Sequence, residues 1–64
     1  MDNELALRLR VEMAIQGRRP TDVARDAGVS LPTLSRILHA KQSPSNDLLR
    51  RIEAAIRQDG ERHG

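Results

Sequence analysis

Residues 20–41, PTDVARDAGVSLPTLSRILHAK, contain two short segments with helical apolar spacing, separated by a glycine. Gly28 lies where the chain must turn with a positive φ, a conformation that strains residues with a Cβ atom. Ala24 is small enough for a second helix to cross closely, and Ser30 after the turn is a natural N-cap. The expected contacts between the two segments come from Val23, Ala27, Val29, Leu34 and Ile37. The stretch therefore predicts a helix-turn-helix.

The flanking sequence extends this motif to an all-α domain. Helices are predicted over about residues 4–16, 20–27, 31–39 and 47–58. Asp2 or Asn3 is expected to cap the first helix, with Gly17 at its end, and Ser45 or Asn46 to cap the fourth. We expect residues 1–58 to form one compact domain of four, or at most five, helices. Residues 59–64, DGERHG, are expected to be a frayed C-terminal tail.

The first predicted helix has two interpretations. Residues 7–13 alternate apolar and polar side chains, which is also the pattern of a half-buried strand. The sequence offers no second strand to pair with it, so a bare edge would remain and a helix is favoured. The helix has two apolar stripes, Leu5, Leu9 and Met13 on one side and Leu7, Val11 and Ile15 nearly opposite. One stripe should face the core. The other is either covered by the tail or the fourth helix, or exposed as a contact for a second subunit or a partner protein.

Composition excludes several classes of protein. The 64 residues allow one small domain that buries about 60% of its unfolded surface. The chain has no cysteine and only two histidines, so we expect neither a metal site nor a cofactor. It has no carboxylate pair and no nucleophile with a positioned base, so we do not expect an enzyme. No apolar run approaches the roughly 20 residues of a membrane helix, and we expect a cytoplasmic protein.

Charge is unevenly distributed along the chain. The net charge is only +2, but five of the basic residues lie in or beside the helix-turn-helix, where Asp22 and Asp26 are the only acids. Those basic residues are Arg18, Arg19, Arg25, Arg36 and Lys41. A local excess of this kind can follow the phosphates of a nucleic acid. An ordinary solvated surface explains the charges equally well, so the motif itself decides in favour of DNA.

The residues also resemble known families. DVARDAGVSLPTLSRIL, residues 22–38, resembles the helix-turn-helix of the lac-repressor family of headpieces, and the layout of residues 4–57 resembles the phage repressor and Cro-like family. Both families share the lambda-repressor-like fold. A full helix before the motif and a loop plus helix after it favour the second family, as does the lack of a following hinge helix or sugar-binding domain. The resemblance implies a transcriptional repressor that binds double-stranded DNA as a homodimer, with its third helix in the major groove.

The resemblance also assigns roles to residues. It places base-reading side chains at Leu31, Pro32 and Arg36. Arg36 can bond guanine O6 and N7 together, although a phosphate contact or an ion pair with Asp22 or Asp26 is the alternative. Leu31 would meet a thymine methyl group, or else only shield the second helix. The expected phosphate contacts are Arg18, Arg19, Thr21, Ser30, Thr33, Lys41 and Gln42.

Three positions depart from the family pattern. Pro20 replaces a glutamine that commonly opens the second helix and holds a phosphate, so this contact must be lost or move to Thr21 or the arginines. Met13 and Leu38 replace a common arginine–glutamate pair, and we predict that they touch. Ala40 replaces the glycine that usually ends the third helix, which predicts either a different turn or some strain.

A different class of function stays open beside the DNA-binding regulator. A protein-binding module, such as an antitoxin with secondary DNA binding, would use the second stripe of the first helix, which consists of Leu7, Val11 and Ile15.

Overall fold

A computed structural model describes the backbone of residues 3–62 and the side chains of residues 3–57. This part of the chain contains four helices and no strand: α1 (Asn3–Gln16), α2 (Pro20–Ala27), α3 (Leu31–Leu38) and α4 (Asn46–Arg62). The predicted all-α architecture of four helices is confirmed. The strand alternative for residues 7–13 is wrong, because these residues lie in the middle of α1. No helix in the described residues combines the length and apolarity needed to cross a membrane.

The helix boundaries differ slightly from those predicted. Asn3 is already helical, and the other candidate cap of α1, Asp2, lies outside the described residues. Ser45 caps α4, because its Oγ accepts a hydrogen bond from the backbone N–H of Leu48 at 3.1 Å. The helix then continues to Arg62, so the predicted end near residue 58 is too early. Residues 63–64 lie outside the described range, and fraying of residues 59–64 stays a prediction.

The core is entirely aliphatic. It is formed where α2 packs along α4, with α1 and α3 closing the remaining sides. Within the described residues no polar or charged residue belongs to this core, although the side chain of Arg18 is 6% exposed. The stripe of α1 predicted to face the core does so, with Leu9 and Met13 buried and Leu5 packed against them. Met13 and Leu38 belong to the same buried cluster and line the same surface hollow, and their direct contact stays a prediction.

The first three helices end in the same hydrogen-bonded motif. In each, a residue with positive φ follows the helix: Gly17 (φ 68°), Gly28 (φ 76°) and Ala40 (φ 59°). After α3, the N–H of Lys41 donates to the carbonyl of Arg36 at 2.8 Å, which is the longer bond of a Schellman motif. The turn after α3 therefore has the same form as the other two, with alanine in the place where glycine is preferred. The expected strain at Ala40 follows from its left-handed backbone.

Replacing Ala40 with glycine should stabilise the domain. The left-handed conformation costs a residue with a Cβ about 1–2 kcal/mol, and the extra freedom of glycine in the unfolded chain offsets part of this gain. We expect a net increase of about 1 kcal/mol in the free energy of unfolding, and about 4–8 °C in Tm, measured by thermal and urea denaturation. Ala54→Gly is the matched control, because Ala54 is exposed inside α4 and should lose about 1 kcal/mol. Equal effects of the two changes would contradict the strain at Ala40.

Candidate nucleic-acid interface

The outer face of α3 carries the three predicted base-reading residues. Leu34, Ile37 and Leu38 fix the inner face by packing into the core. At 100° per residue Pro32, Ser35, Arg36 and His39 lie on the opposite face and Leu31 lies at its edge, 60° from Leu34, and all five are exposed. Leu31 is 44% exposed, a large fraction for a leucine, so its side chain presents apolar surface to solvent. The fold therefore displays these side chains together on one side of a short, well-anchored helix.

The start of α3 is held by a pair of hydroxyl groups. Ser30 is the N-cap, and its Oγ accepts a hydrogen bond from the backbone N–H of Thr33 at 3.3 Å. The same Oγ is hydrogen-bonded to Thr33 Oγ1 at 2.9 Å. This bond uses one of the two hydroxyl hydrogens, and the other has no acceptor among the described residues. The pair of predicted phosphate ligands therefore has one donor available.

The acids of the helix-turn-helix are already paired with arginines. Asp22 accepts a hydrogen bond from Arg25 at 3.2 Å. Asp26 forms a close ion pair with Arg18 and lies 3.9 Å from the Nε of Arg25. Arg36 is exposed and forms no ion pair with any described residue. The alternative in which Arg36 pairs with Asp22 or Asp26 is therefore not the arrangement found, and its guanidinium is available to a ligand.

Arg18 does not occupy the surface position expected of a phosphate ligand. Its side chain is only 6% exposed, and besides its ion pair with Asp26 its Nε donates to the carbonyl of Ala55 at 3.2 Å. The side chain thus ties the turn after α1 to both α2 and α4. Arg18 and Arg19 are adjacent in sequence, but neighbouring residues in a turn point in different directions. This inward orientation depends on the packing of distant helices, which the local sequence does not encode.

The other predicted phosphate contacts lie on the surface. Arg19, Thr21, Lys41 and Gln42 are all exposed, and neither Arg19 nor Lys41 forms an ion pair within the described residues. Arg19 precedes Pro20 at the start of α2, where no side chain caps the helix. The first N–H groups of α2 and the positive end of its dipole are therefore available to an anion.

Ser35 and His39 were not among the predicted contact residues, although both lie on the outer face of α3. His39 Nδ1 lies 2.8 Å from the carbonyl oxygen of Ser35. Because a carbonyl can only accept, Nδ1 carries the hydrogen, and Nε2 is left without a partner in the described residues. The sequence does contain a signal for this placement, since residues 31, 35 and 39 recur at intervals of four. The outer face thus offers more polar groups than Arg36 alone.

The anchored α3, its exposed outer face and the glycine turn behind it define a DNA-binding helix-turn-helix. The family model that matches the chain is described as bacterial regulatory proteins, lacI family, and it covers residues 21–60. The match extends over more than half of the chain, and the chain belongs to this family. No curated protein and no solved structure gives a significant match.

The family match confirms the resemblance of residues 22–38 to lac-repressor headpieces. It covers nearly all of α2, together with α3 and most of α4, and leaves α1 outside. Placement with the phage repressor and Cro-like family stays a prediction. Because the lacI family consists of DNA-binding regulatory proteins and is not a family of enzymes, the chain is a sequence-specific DNA-binding regulator of transcription.

Proposed function

We propose that the chain is a small repressor of the phage or plasmid type, acting in the cytoplasm as a homodimer on a twofold-symmetric operator. The observation that carries this proposal is the outer face of α3, where exposed Arg36 has no ion pair within the described residues, while both acids of the helix-turn-helix are paired with other arginines. Repression is steric: α3 lies in the major groove, and the bound protein blocks polymerase. A single α3 makes few contacts, so two half-sites about 34 Å apart combine their binding energies.

Base reading rests mainly on Arg36. Its planar guanidinium matches O6 and N7 of guanine, the contact that distinguishes this base most strongly in the major groove. Leu31 and Pro32 have no side-chain donor or acceptor, so their exposed surfaces meet thymine methyl groups. Specificity therefore combines one strong polar contact per half-site with methyl contacts and the shape of the DNA.

Phosphate contacts surround this reading face. Arg19 and Thr21 act at the uncapped start of α2, where the helix dipole adds to their attraction for phosphate. The hydrogen-bonded hydroxyls of Ser30 and Thr33 donate their one unused hydrogen to a phosphate. Lys41 and Gln42 complete the set in the loop after α3. To reach a phosphate, Arg18 would have to break its contacts with both Asp26 and Ala55. Its proposed role is therefore to position α2.

Selection of bound sequences from random duplex DNA, repeated at two salt concentrations, tests this function. We expect enrichment of an inverted repeat whose half-sites are separated by about 10 base pairs, with guanine at one position of each half-site. The logarithm of affinity should fall against the logarithm of salt with a slope of about −0.9 per phosphate contact. Enrichment of a single, asymmetric half-site would contradict binding as a dimer, and no enrichment at any salt concentration would contradict sequence-specific reading.

One observation favours a second candidate, a protein-binding module of the antitoxin type. The stripe of Leu7, Val11 and Ile15 on α1 is exposed, and apolar surface of this kind is a common protein contact. This function predicts a tight protein complex that forms equally well with Arg36→Ala. The selection experiment separates the two candidates, because only the repressor requires a preferred DNA sequence.

A further inference from the structure

A surface hollow lies where α1, the start of α2 and the end of α3 meet. The buried side chains of Met13 and Leu38 line it from the core, whereas exposed Arg10 and His39 line it from the solvent side. Pro20, the first residue of α2, also lines it. Three helices thus form the hollow, and no acidic residue in the described part of the chain lines it.

Arg10 supplies a cation to this hollow that the fold does not use. Arg10, Met13 and Ala14 are spaced as i, i+3 and i+4, so the arginine lies on the side of α1 that meets α3. Arg10 forms no ion pair within the described residues. Arg18, which also lines the hollow, is instead held by its ion pair with Asp26. The charge of Arg10 is therefore available to an anion.

His39 faces Arg10 across the hollow with one ring nitrogen unused. Its Nδ1 carries a hydrogen, because it lies 2.8 Å from the carbonyl oxygen of Ser35, and Nε2 has no partner among the described residues. A neutral ring can only accept a hydrogen bond at Nε2, whereas a protonated ring donates there and carries a positive charge. Together with Arg10, the protonated ring fits an anion.

We propose that Arg10 and His39 bind one phosphate of the operator backbone at this hollow, so that α1 is part of the DNA interface. The inference rests on the proposed function, because it names a further contact with the same DNA. His39 belongs both to the outer face of α3 and to the hollow, and Pro20 lies between the proposed phosphate ligands Arg19 and Thr21. DNA that crosses α3 and the start of α2 therefore passes the hollow. The family match begins at residue 21 and assigns no role to Arg10.

This contact makes DNA binding stronger as the pH falls. Protonated His39 donates to the phosphate, whereas the neutral ring turns a lone pair toward it. The charged groups that line the hollow with His39 are Arg10 on α1 and Arg18 in the turn after it, and α2 contributes none within the described residues. Near His39 in sequence, Arg36 and Lys41 are also cations. The phosphate therefore supplies the negative charge beside the protonated ring, and DNA binding should take up a proton.

Titration of a duplex with one selected half-site tests Arg10 against a matched control. Arg10→Gln should weaken binding about tenfold and lower the salt slope by about one. Arg8→Gln makes the same change about 160° away around α1, where Arg8 lines a different hollow together with Glu12 and Glu53. The control should lose less than about twofold, because a distant exposed charge is screened by salt. Circular dichroism confirms folding, and equal losses in the two variants would overturn the proposal.

The pH dependence of binding tests His39. Between about pH 8 and about pH 5.5, the range in which histidine gains its charge, wild-type affinity should rise about tenfold. His39→Gln keeps a neutral donor, so its affinity should be intermediate and should not change with pH. His63→Gln removes the other histidine of the chain and should keep the wild-type profile. A wild-type profile in His39→Gln, or its loss in His63→Gln, would overturn the proposal.

Replacement of single backbone phosphates by neutral methylphosphonates identifies the contacted group. At pH 5.5 one position in the half-site duplex should cost the wild type about tenfold in affinity. The same replacement should cost Arg10→Gln and His39→Ala less, because each variant has already lost part of that contact. If all three proteins lost the same affinity at every position, the shared phosphate would be disproved.

The results also separate this inference from the proposed function. If the protein prefers a DNA sequence but Arg10→Gln and His39→Gln bind it like the wild type at every pH, the phosphate contact is wrong and the repressor function stands. If random duplex is bound with the expected dependence on Arg10 and pH but no sequence is preferred, the contact stands and the repressor function is wrong. A rise in the Tm of the free protein with inorganic phosphate, lost in Arg10→Gln while DNA affinity is unchanged, would assign the hollow to a free anion and overturn the proposal.

Discussion

Arg36→Ala should reduce affinity for the selected operator by about 5- to 150-fold per half-site. A bidentate contact with guanine is worth about 1–3 kcal/mol, and a tenfold change corresponds to about 1.4 kcal/mol. The side chain is exposed on a helix whose inner face is fully anchored, so truncation should leave the fold intact. Titration of labelled operator at one fixed salt concentration measures the loss, and a symmetric dimer should suffer it at both half-sites.

Two further variants identify the kind of contact that is lost. Arg36→Lys keeps the positive charge but not the planar fork, so it should lose most of the preference for guanine while retaining binding to random DNA. Arg19→Ala removes a proposed phosphate contact, and should weaken operator and random DNA equally while lowering the salt slope by about one. Unchanged operator affinity of folded Arg36→Ala would contradict the base-reading role. A loss equal for all sequences would make Arg36 a phosphate ligand.

The sequence predicted those parts of the fold that depend on local chemistry. The turn at Gly28, the cap at Ser30 and the proline opening α2 act within a few residues, and each is found where it was expected. The inner face of α3 follows from apolar spacing, whereas the base-reading role of Leu31, Pro32 and Arg36 came from the family resemblance. The same spacing could have added Ser35 and His39 to the outer face.

Features that depend on distant contacts could not be predicted in this way. The inward position of Arg18 is set by Asp26 and by the carbonyl of Ala55, which are separated from it by 8 and 37 residues. Nothing in the local sequence distinguishes Arg18 from the exposed Arg19. The alternating pattern in α1 was compatible with a strand or a helix for a related reason. The helix has two apolar stripes, and only its packing against the other helices shows that one stripe is buried and the other exposed.

Leu34→Ala should remove about half of the stability of the domain. Leu34 is fully buried at the centre of the cluster that joins α3 to the other helices, and such truncations cost about 2–5 kcal/mol through lost burial and the cavity left behind. A chain of this length has a total stability of about 3–10 kcal/mol. We expect a Tm lower by at least about 10 °C, or a largely unfolded protein at 37 °C, measured by circular dichroism during heating and urea titration.

Leu31→Ala is the matched control, since it makes the same chemical change three residues earlier on the same helix. Because Leu31 is 44% exposed, its truncation should change the free energy of unfolding by no more than about 0.5 kcal/mol. It should instead weaken operator binding, through the loss of a thymine methyl contact. The two leucines thus separate stability from recognition on one helix. If Leu31→Ala destabilised the domain as much as Leu34→Ala, α3 could not face DNA in the orientation proposed, since its outer face would then be packed against protein.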